Sequence, residues 1–454
     1  MPGAQPPRRG RNPRHAEIAS SFIVQPRWLV PVEPAGAVLT GHAVAVRDGV
    51  IEAVLRAEQA RERFGSYEVV ELDQHVLIPG LVNAHTHAAM TLMRGLADDL
   101  ALMDWLNHHI WPAELKHVSE PYVYDGTRLA CAEMLRGGVT CFNDMYFFPQ
   151  AAARAARESG MRAAVGLIVT EFPSPYASDA QDYLSKGFAV RDEMRNEPLL
   201  SFCLAPHAPY TVSDQSLRQI ATYASELDLP VHIHVHETLA EIEQSLKSHG
   251  MRPVRRMADL GLLGPGLIAV HAVHLDEAEV ALFAQQGCHV AHCPSSNLKL
   301  ASGMAPVRAL LEAGVNVGLG TDGAASNNRL DLFAEIRLAA LLAKASSGDP
   351  TAVPAWQALE MGTLCAARAL GLEDRIGSLK AGKFADITAV RLDEIETSPC
   401  YDPHSHLVYA SGREHVSHVW VNGRLVLDDR RLTTMDTHEI TVRAAYWRDR
   451  IGAS

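Results

Sequence analysis

The sequence has no run of 18 or more apolar residues and therefore offers no candidate membrane helix. Its opening stretch, MPGAQPPRRGRNPRH, lacks the apolar segment of a secretory signal, so a cytoplasmic protein is expected. The seven cysteines (Cys131, Cys141, Cys203, Cys288, Cys293, Cys365, Cys400) are odd in number and contain no C-x-x-C pair. That argues against a disulfide framework and against a cysteine-based zinc site. An excess of positive charge is missing too: 41 Lys and Arg face 53 Asp and Glu, for a net charge of −12. Nucleic-acid binders draw affinity from cations on phosphates, so small molecules are the expected partners, with neither nucleic acid nor membrane among them. No H-E-x-x-H occurs, which removes the common zinc proteases. H-x-E paired with P-C-x-x-C is also absent, which removes the cytidine deaminase fold.

What is present is a long chain, 454 residues of which 47% are hydrophobic, enough to bury a large core. Residues 1–18 are rich in Pro, Gly and Arg, the composition of a disordered arm. Residues 19–75 carry short β-branched runs around the turn signal Asp48-Gly49, and the same texture returns over 384–435 around Asn422-Gly423. Each end alone has too few strands to close a core, so both together are expected to form one small β-sandwich. Residues 436–454 are expected to form a C-terminal helix. Between these ends, residues 76–383 alternate short apolar runs with helical patterns. The runs are Val76 to Val82, Val139 to Asn143, Ala163 to Val169, Leu199 to Ala205, Val231 to His236, Leu267 to Val273, Cys288 to His292 and Val315 to Gly320. Helix start signals such as Ser213 and Asp276 lie between them. Eight strands buried on both faces and separated by helices predict an α/β fold, a (β/α)8 barrel, with an open doubly wound sheet as the competing arrangement.

In such a barrel the reactive groups belong at the C-terminal ends of the strands. Histidine, present 22 times, clusters there. The first run leads into His85-Thr86-His87, and side chains two apart on a strand share a face. The fifth holds His232, His234 and His236, followed by Glu237; the sixth ends in His271 with His274 beyond it, the seventh in His292, the eighth in Thr321-Asp322. A lone histidine is more often a core or surface residue than a ligand. Together, imidazoles and a carboxylate directed into a barrel are costly unless something satisfies them, and a divalent cation does so. Gly318 to Gly323 matches G-x-G-x-x-G, but it comes late in the chain with no acidic strand end following, so it is not taken as a dinucleotide fingerprint.

The strings PGLVNAHTHAAMTLMRGLADDL, IWPAE, APHAPYTVSD, HIHVHET, HAVHL, HCPSSNLKLASGMAPV, GLGTDGAASNN and SLKAGKFADI resemble the amidohydrolase superfamily, and within it the 5′-methylthioadenosine/S-adenosylhomocysteine deaminases. The resemblance runs in order over about residues 20–430. It implies a TIM-like metal-dependent hydrolase barrel with a sandwich from both chain ends, one Zn2+ per subunit (Fe2+ or Mn2+ as substitutes), and a homodimer. It further implies metal ligation by His85, His87, His234 and Asp322, and catalysis by Glu237 as proton shuttle, His271 as orienter of the attacking water and Asp322 as base. Glu114 resembles a ribose-binding carboxylate and His207 a substrate-contacting histidine. Ser326 is expected against the base, and Trp105, with Met90 or Met103, near the adenine or the thioether. His232, His236, His274 and His292 are expected in packing or supporting positions. Family members that take the homocysteine moiety place arginines after strand 3, and Gly166 to Ala189 has none, so 5′-methylthioadenosine is the expected substrate. LLSFCLAPH has no lysine to carry a bridging carbamate, so a single metal is expected. The alternatives are deamination of guanine, 8-oxoguanine or cytosine, triazine hydrolysis, or a non-enzymatic barrel, which would be expected to lose its ligands.

Overall fold

The computed structural model describes residues 21–452; the arm expected over 1–18 lies outside them, as do the last two residues of the chain. Eight strands, hydrogen-bonded in chain order, form one sheet: Leu81–Thr86, Val139–Tyr146, Arg162–Val169, Leu200–Pro206, Val231–Val235, Leu267–His271, His289–His292 and Asn316–Leu319, hereafter barrel strands 1 to 8. All their pairings are parallel. Strands 2 and 3 are buried at every residue, which is why they read as unbroken apolar runs. Strand 8 closes back on strand 1. The Asp322 N–H donates to His85 O and the Thr321 N–H to Asn83 Oδ1, each at 3.0 Å. Gly320 permits this seam, because a Cβ there would lie 2.8 Å from His85 Cβ. Ser213 accepts from the Ser216 N–H to start the helix Asp214–Leu227, and Asp276 with Glu279 forms a capping box on Glu277–Gln286.

A second, nine-stranded sheet is built from both chain ends. The strand Ser21–Leu29 pairs in parallel with Glu68–Pro79, which pairs antiparallel with Ile387–Arg391, and that with Val416–Val421. Phe22 and Trp420 stack at 6.2 Å although two strands separate them in the hydrogen-bonded order, so the sheet folds over on itself around an apolar interior. Alternation puts Ile23 on the opposite face, beneath the helix Ala57–Arg63 and Phe64. Glu68–Pro79 runs through the 75/76 boundary drawn from the sequence. The apolar run from Val76 to Val82 is thus two strands in two sheets, divided at Gly80, where a Cβ would lie 2.2 Å from Thr140.

The sheet meets the barrel near the starts of strands 2 and 3, away from the strand ends. Arg162 forks onto Asp386 at 2.9 and 3.0 Å with both side chains buried, and Thr388 Oγ1 donates to Gly138 O at 2.8 Å. The C-terminal helix Thr437–Gly452 packs on Glu120–Arg136, with Trp447 Nε1 and Arg443 donating to Asp125. All seven cysteines are free. No described helix is long and apolar enough to cross a membrane.

Candidate active site

His85, His87, His234, His271 and Asp322 converge where strands 1, 5, 6 and 8 end. Asp322 Oδ1 lies 3.3 Å from Nε2 of both His85 and His87, and His234 Nε2 lies 3.2 Å from His85 Nε2. Each ring is oriented from behind. His87 Nδ1 donates to Met145 O at 2.6 Å, His234 Nδ1 to His207 O at 2.7 Å, and His271 Nδ1 pairs with Asn297 Oδ1 at 2.8 Å. His85 Nδ1 sits 2.8 Å from His232 Nε2. Protons fixed on Nδ1 leave the Nε2 lone pairs directed inward. Burial lowers the His85 pKa to about 4 and holds His234 well below its ordinary range, so both are neutral donors. The donor atoms fall in two overlapping triads, His85 with His234 and His271, and His85 with His87 and Asp322, each within 4.8 Å, and imidazoles with one carboxylate suit a divalent cation with a position left for water.

Glu237 lies beside these donors, next to His271. Glu237 Oε2 lies 3.8 Å from His271 Nε2, and burial raises the Glu237 carboxyl above its ordinary value. The turn carrying Glu237 is pinned by Glu241, whose carboxylate accepts the N–H groups of His236 (3.0 Å) and Glu237 (2.9 Å). At His271 burial opposes the charged form, but Glu237 and Asp322 more than offset it and the pKa is raised. Asp322 Oδ2 accepts from Ser296 Oγ at 2.6 Å and Ser326 Oγ at 2.8 Å, so the carboxylate cannot swing away from the imidazoles.

A cavity of about 440 Å³ opens over these groups and is lined by His87, His234, Glu237, His271 and Asp322. Glu114, Trp105, His207, Ser326, Met90 and Met103 line it as well. Glu114, from the short helix Trp111–His117, accepts from Tyr146 Oη at 2.7 Å; burial pushes its carboxyl up to about 7 against that bond. His207 Nδ1 lies 3.1 Å from Thr211 Oγ1, whose own proton goes to Ala208 O, so Nδ1 donates and Nε2 is left as an acceptor. Trp105 donates Nε1 to Ala97 O and gives the cavity its ring. No Lys or Arg is among the described residues that line the cavity.

Other histidines stand apart from the cavity. His232 braces His85; His236 faces His274 O and Glu279; His274 Nε2 contacts Ser302 O at 2.7 Å; His292 lines a separate small cleft with Pro294 and Asn297. Ser296, Asn297 and Tyr146 went unassigned in the sequence although they hold Asp322, His271 and Glu114. The available signal was position: Tyr146 ends strand 2, and Ser296 and Asn297 open the helix just after strand 7.

A closed parallel barrel with histidine and aspartate donors gathered at its strand ends defines a metal-dependent hydrolase. The chain belongs to the amidohydrolase family, whose model matches residues 76–426. It is 46% identical over 434 residues to a 5-methylthioadenosine/S-adenosylhomocysteine deaminase of Saccharophagus degradans, covering 96% of this chain and 97% of the relative. A protein of the same name from Syntrophobacter fumaroxidans is 48% identical over 418 residues, covering 92% and 95%. The crystal structure of an adenosine deaminase from Xanthomonas campestris with bound zinc superposes with a TM-score of 0.94 at 48% identity, over 95% of this chain and 99% of that one.

Proposed function

We propose that the protein hydrolytically deaminates the adenine ring of 5′-methylthioadenosine, giving the inosine analogue and ammonia, with one zinc ion held by His85, His87, His234 and Asp322. The observation that carries this reading is the order of groups along one cavity: the donor set with Glu237 and His271 in one part, and a second buried carboxylate, Glu114, in another. A zinc ion bound by that set lowers the pKa of its water to about 7 and so supplies a nucleophile at neutral pH. Glu237, its carboxyl raised by burial, donates a proton to N1 of the ring and makes C6 electrophilic. His271, fixed by Asn297, and Asp322, fixed by Ser296 and Ser326, orient the attacking water. Asp322 accepts its proton and passes it to the departing amine; the C6–N bond breaks, ammonia leaves and C6 keeps the oxygen. Glu114 offers two carboxylate oxygens to the ribose hydroxyls, a handle that a bare base would leave unused. His207 contacts the substrate, Ser326 lies against the base, and Trp105 packs on the adenine or the thioether.

The names of relatives at 46% and 48% identity support this substrate class. They couple two substrates, and the lining favours one of them: among the described residues no Lys or Arg lines the cavity to meet the homocysteine carboxylate of S-adenosylhomocysteine, whereas a methylthio group needs no charged partner. The proposal extends to a homodimer, supported by the resemblance alone, and to a cytoplasmic location, supported by the opening stretch of the sequence. The test is the ultraviolet shift and ammonia release with 5′-methylthioadenosine, S-adenosylhomocysteine, adenosine, adenine and guanine side by side. The expected order has 5′-methylthioadenosine well ahead of S-adenosylhomocysteine; turnover of free bases alone would remove the nucleoside reading.

A further inference from the structure

The cavity changes character towards its mouth. His271, Asp322 and Glu114 are buried, whereas Met103, Leu115 and Phe172, which also line it, are 43%, 63% and 60% exposed. Single exposed apolar side chains are ordinary, but these three border one opening and come from different segments. Met103 and Leu115 follow barrel strand 1, on the short helices Leu102–Trp105 and Trp111–His117, and Phe172 follows strand 3. The cavity's carboxylates, Glu114, Glu237 and Asp322, are all more deeply buried than this rim.

An adjoining cleft of about 320 Å³ shares Phe172 and Tyr210 with the cavity, but Arg256, the one Lys or Arg among its described lining residues, is already engaged. Glu171 accepts from Ser216 Oγ, Glu241 from the backbone of Glu237, and Arg256 is bonded to Asp214 and to the carbonyls of Pro209 and Val212. Among its described lining residues it therefore offers no unengaged Lys or Arg to an anionic tail.

We infer that the rim of Met103, Leu115 and Phe172 is a subsite for an apolar 5′ substituent larger than methyl, so that the preferred substrates are uncharged 5′-alkylthio nucleosides. This rests on the deaminase reading, which fixes the direction of the ligand. With the ring at Glu237 and His271 and the sugar at Glu114, the 5′ end is the part left to face the mouth. Each methylene that the rim covers should raise kcat/KM about three- to fourfold.

The experiment measures kcat/KM of the zinc-loaded protein for adenosine and its 5′-methylthio, 5′-ethylthio, 5′-propylthio and 5′-carboxypropylthio derivatives. The same series is run on the Phe172→Ser/Leu115→Ser double variant, and on Leu246→Ser as a control whose side chain is exposed away from both openings. A rise of about threefold per methylene in the wild type and in Leu246→Ser, flattened in the double variant, supports the subsite. Its slope is read independently of each variant's absolute rate. A flat series in the wild type, an undiminished slope in the double variant, or a carboxypropylthio substrate as good as propylthio overturns it while the deaminase reading stands. Failure of every nucleoside, including adenosine, overturns both.

Discussion

Replacing Glu114 with Gln should stabilise the protein at alkaline pH while weakening its hold on a nucleoside. The carboxyl is buried with Tyr146 as its donor, and burial carries its pKa from 4.5 to about 7. Between those values the native state keeps a proton that the unfolded chain has released, so stability falls as pH rises from 4.5 to 7 and stays low above it. The distance from 4.5 to about 7, at 1.36 kcal/mol per pH unit, corresponds to about 3 kcal/mol. Glutamine is neutral at every pH, similar in size, and keeps an oxygen for the Tyr146 hydroxyl. Calorimetry of the metal-loaded proteins should therefore show Glu114→Gln melting several degrees above the wild type at pH 8 and close to it at pH 5. In the same variant, KM for a nucleoside should rise about 10- to 100-fold at pH 8, the worth of a hydrogen bond to a charged acceptor. Equal melting shifts at both pH values, or destabilisation at pH 8, would refute the assignment of Glu114 as a buried carboxylate kept ionised at the expense of stability. Tyr146→Phe tests the same pair from the other side. It removes the bond that opposes burial, so the acidic limb of kcat/KM should move up by about one to two pH units; an unmoved limb would show that Glu114 does not set it.

Three further outcomes follow from the site and its support. Glu237→Gln should lower kcat by about 10²- to 10⁴-fold with metal content unchanged, measured by steady-state kinetics beside elemental analysis; retained turnover would remove Glu237 as proton donor. Ser296→Ala removes one of two hydroxyls on Asp322 Oδ2 and should lower activity or metal affinity about tenfold, with Ser296→Ala/Ser326→Ala falling further; an unchanged double variant would show that Asp322 needs neither. Arg162→Met leaves Asp386 buried with, among the described residues, only the Asn422 N–H, and should cost about 3–5 kcal/mol in chemical denaturation with kcat intact, because the pair lies at the starts of the strands, away from their C-terminal ends.

The barrel was legible in the sequence because of where its strands lie. Strands such as Arg162–Val169, buried on both faces, leave unbroken apolar runs, and the imidazoles at their ends interrupt those runs where chemistry is expected. That the chain passes from one sheet to the other at Gly80 was not read from the sequence. Val76 to Val82 carries the turn signal Pro79-Gly80, but hydrophobicity gives no mark of which sheet a strand joins. What separates the two strands is the close approach of Gly80 to Thr140, a contact between residues 60 apart. The supporting groups were hidden for the same reason. Ser296 is an ordinary residue until strand 8 brings Asp322 against it, and Tyr146 reads as the end of a strand until Glu114 is folded over it. Motif residues announce themselves by type and spacing, whereas the residues that aim them depend on contacts across strands.

Closure and chemistry meet at one turn. Asp322 and His271 both adopt left-handed backbone, with φ of 61° and 69°, a conformation that costs non-glycine residues about 1–3 kcal/mol each and persists where surrounding contacts over-determine it. Those contacts are on hand at Asp322. Its N–H donates to His85 O, its own carbonyl accepts from Thr86 Oγ1 at 3.2 Å and Thr321 Oγ1 at 3.0 Å, and its carboxylate accepts from Ser296, Ser326 and the Gly323 N–H. The first two of these bonds run to strand 1, so the seam that completes the barrel also turns the Asp322 side chain towards His85 and His87. A chain that left strand 8 unpaired would lose the aim of this carboxylate together with the closure of its sheet. The centre is therefore assembled only when the last strand docks on the first, and the strain stored at Asp322 is balanced by the same hydrogen bonds that close the fold.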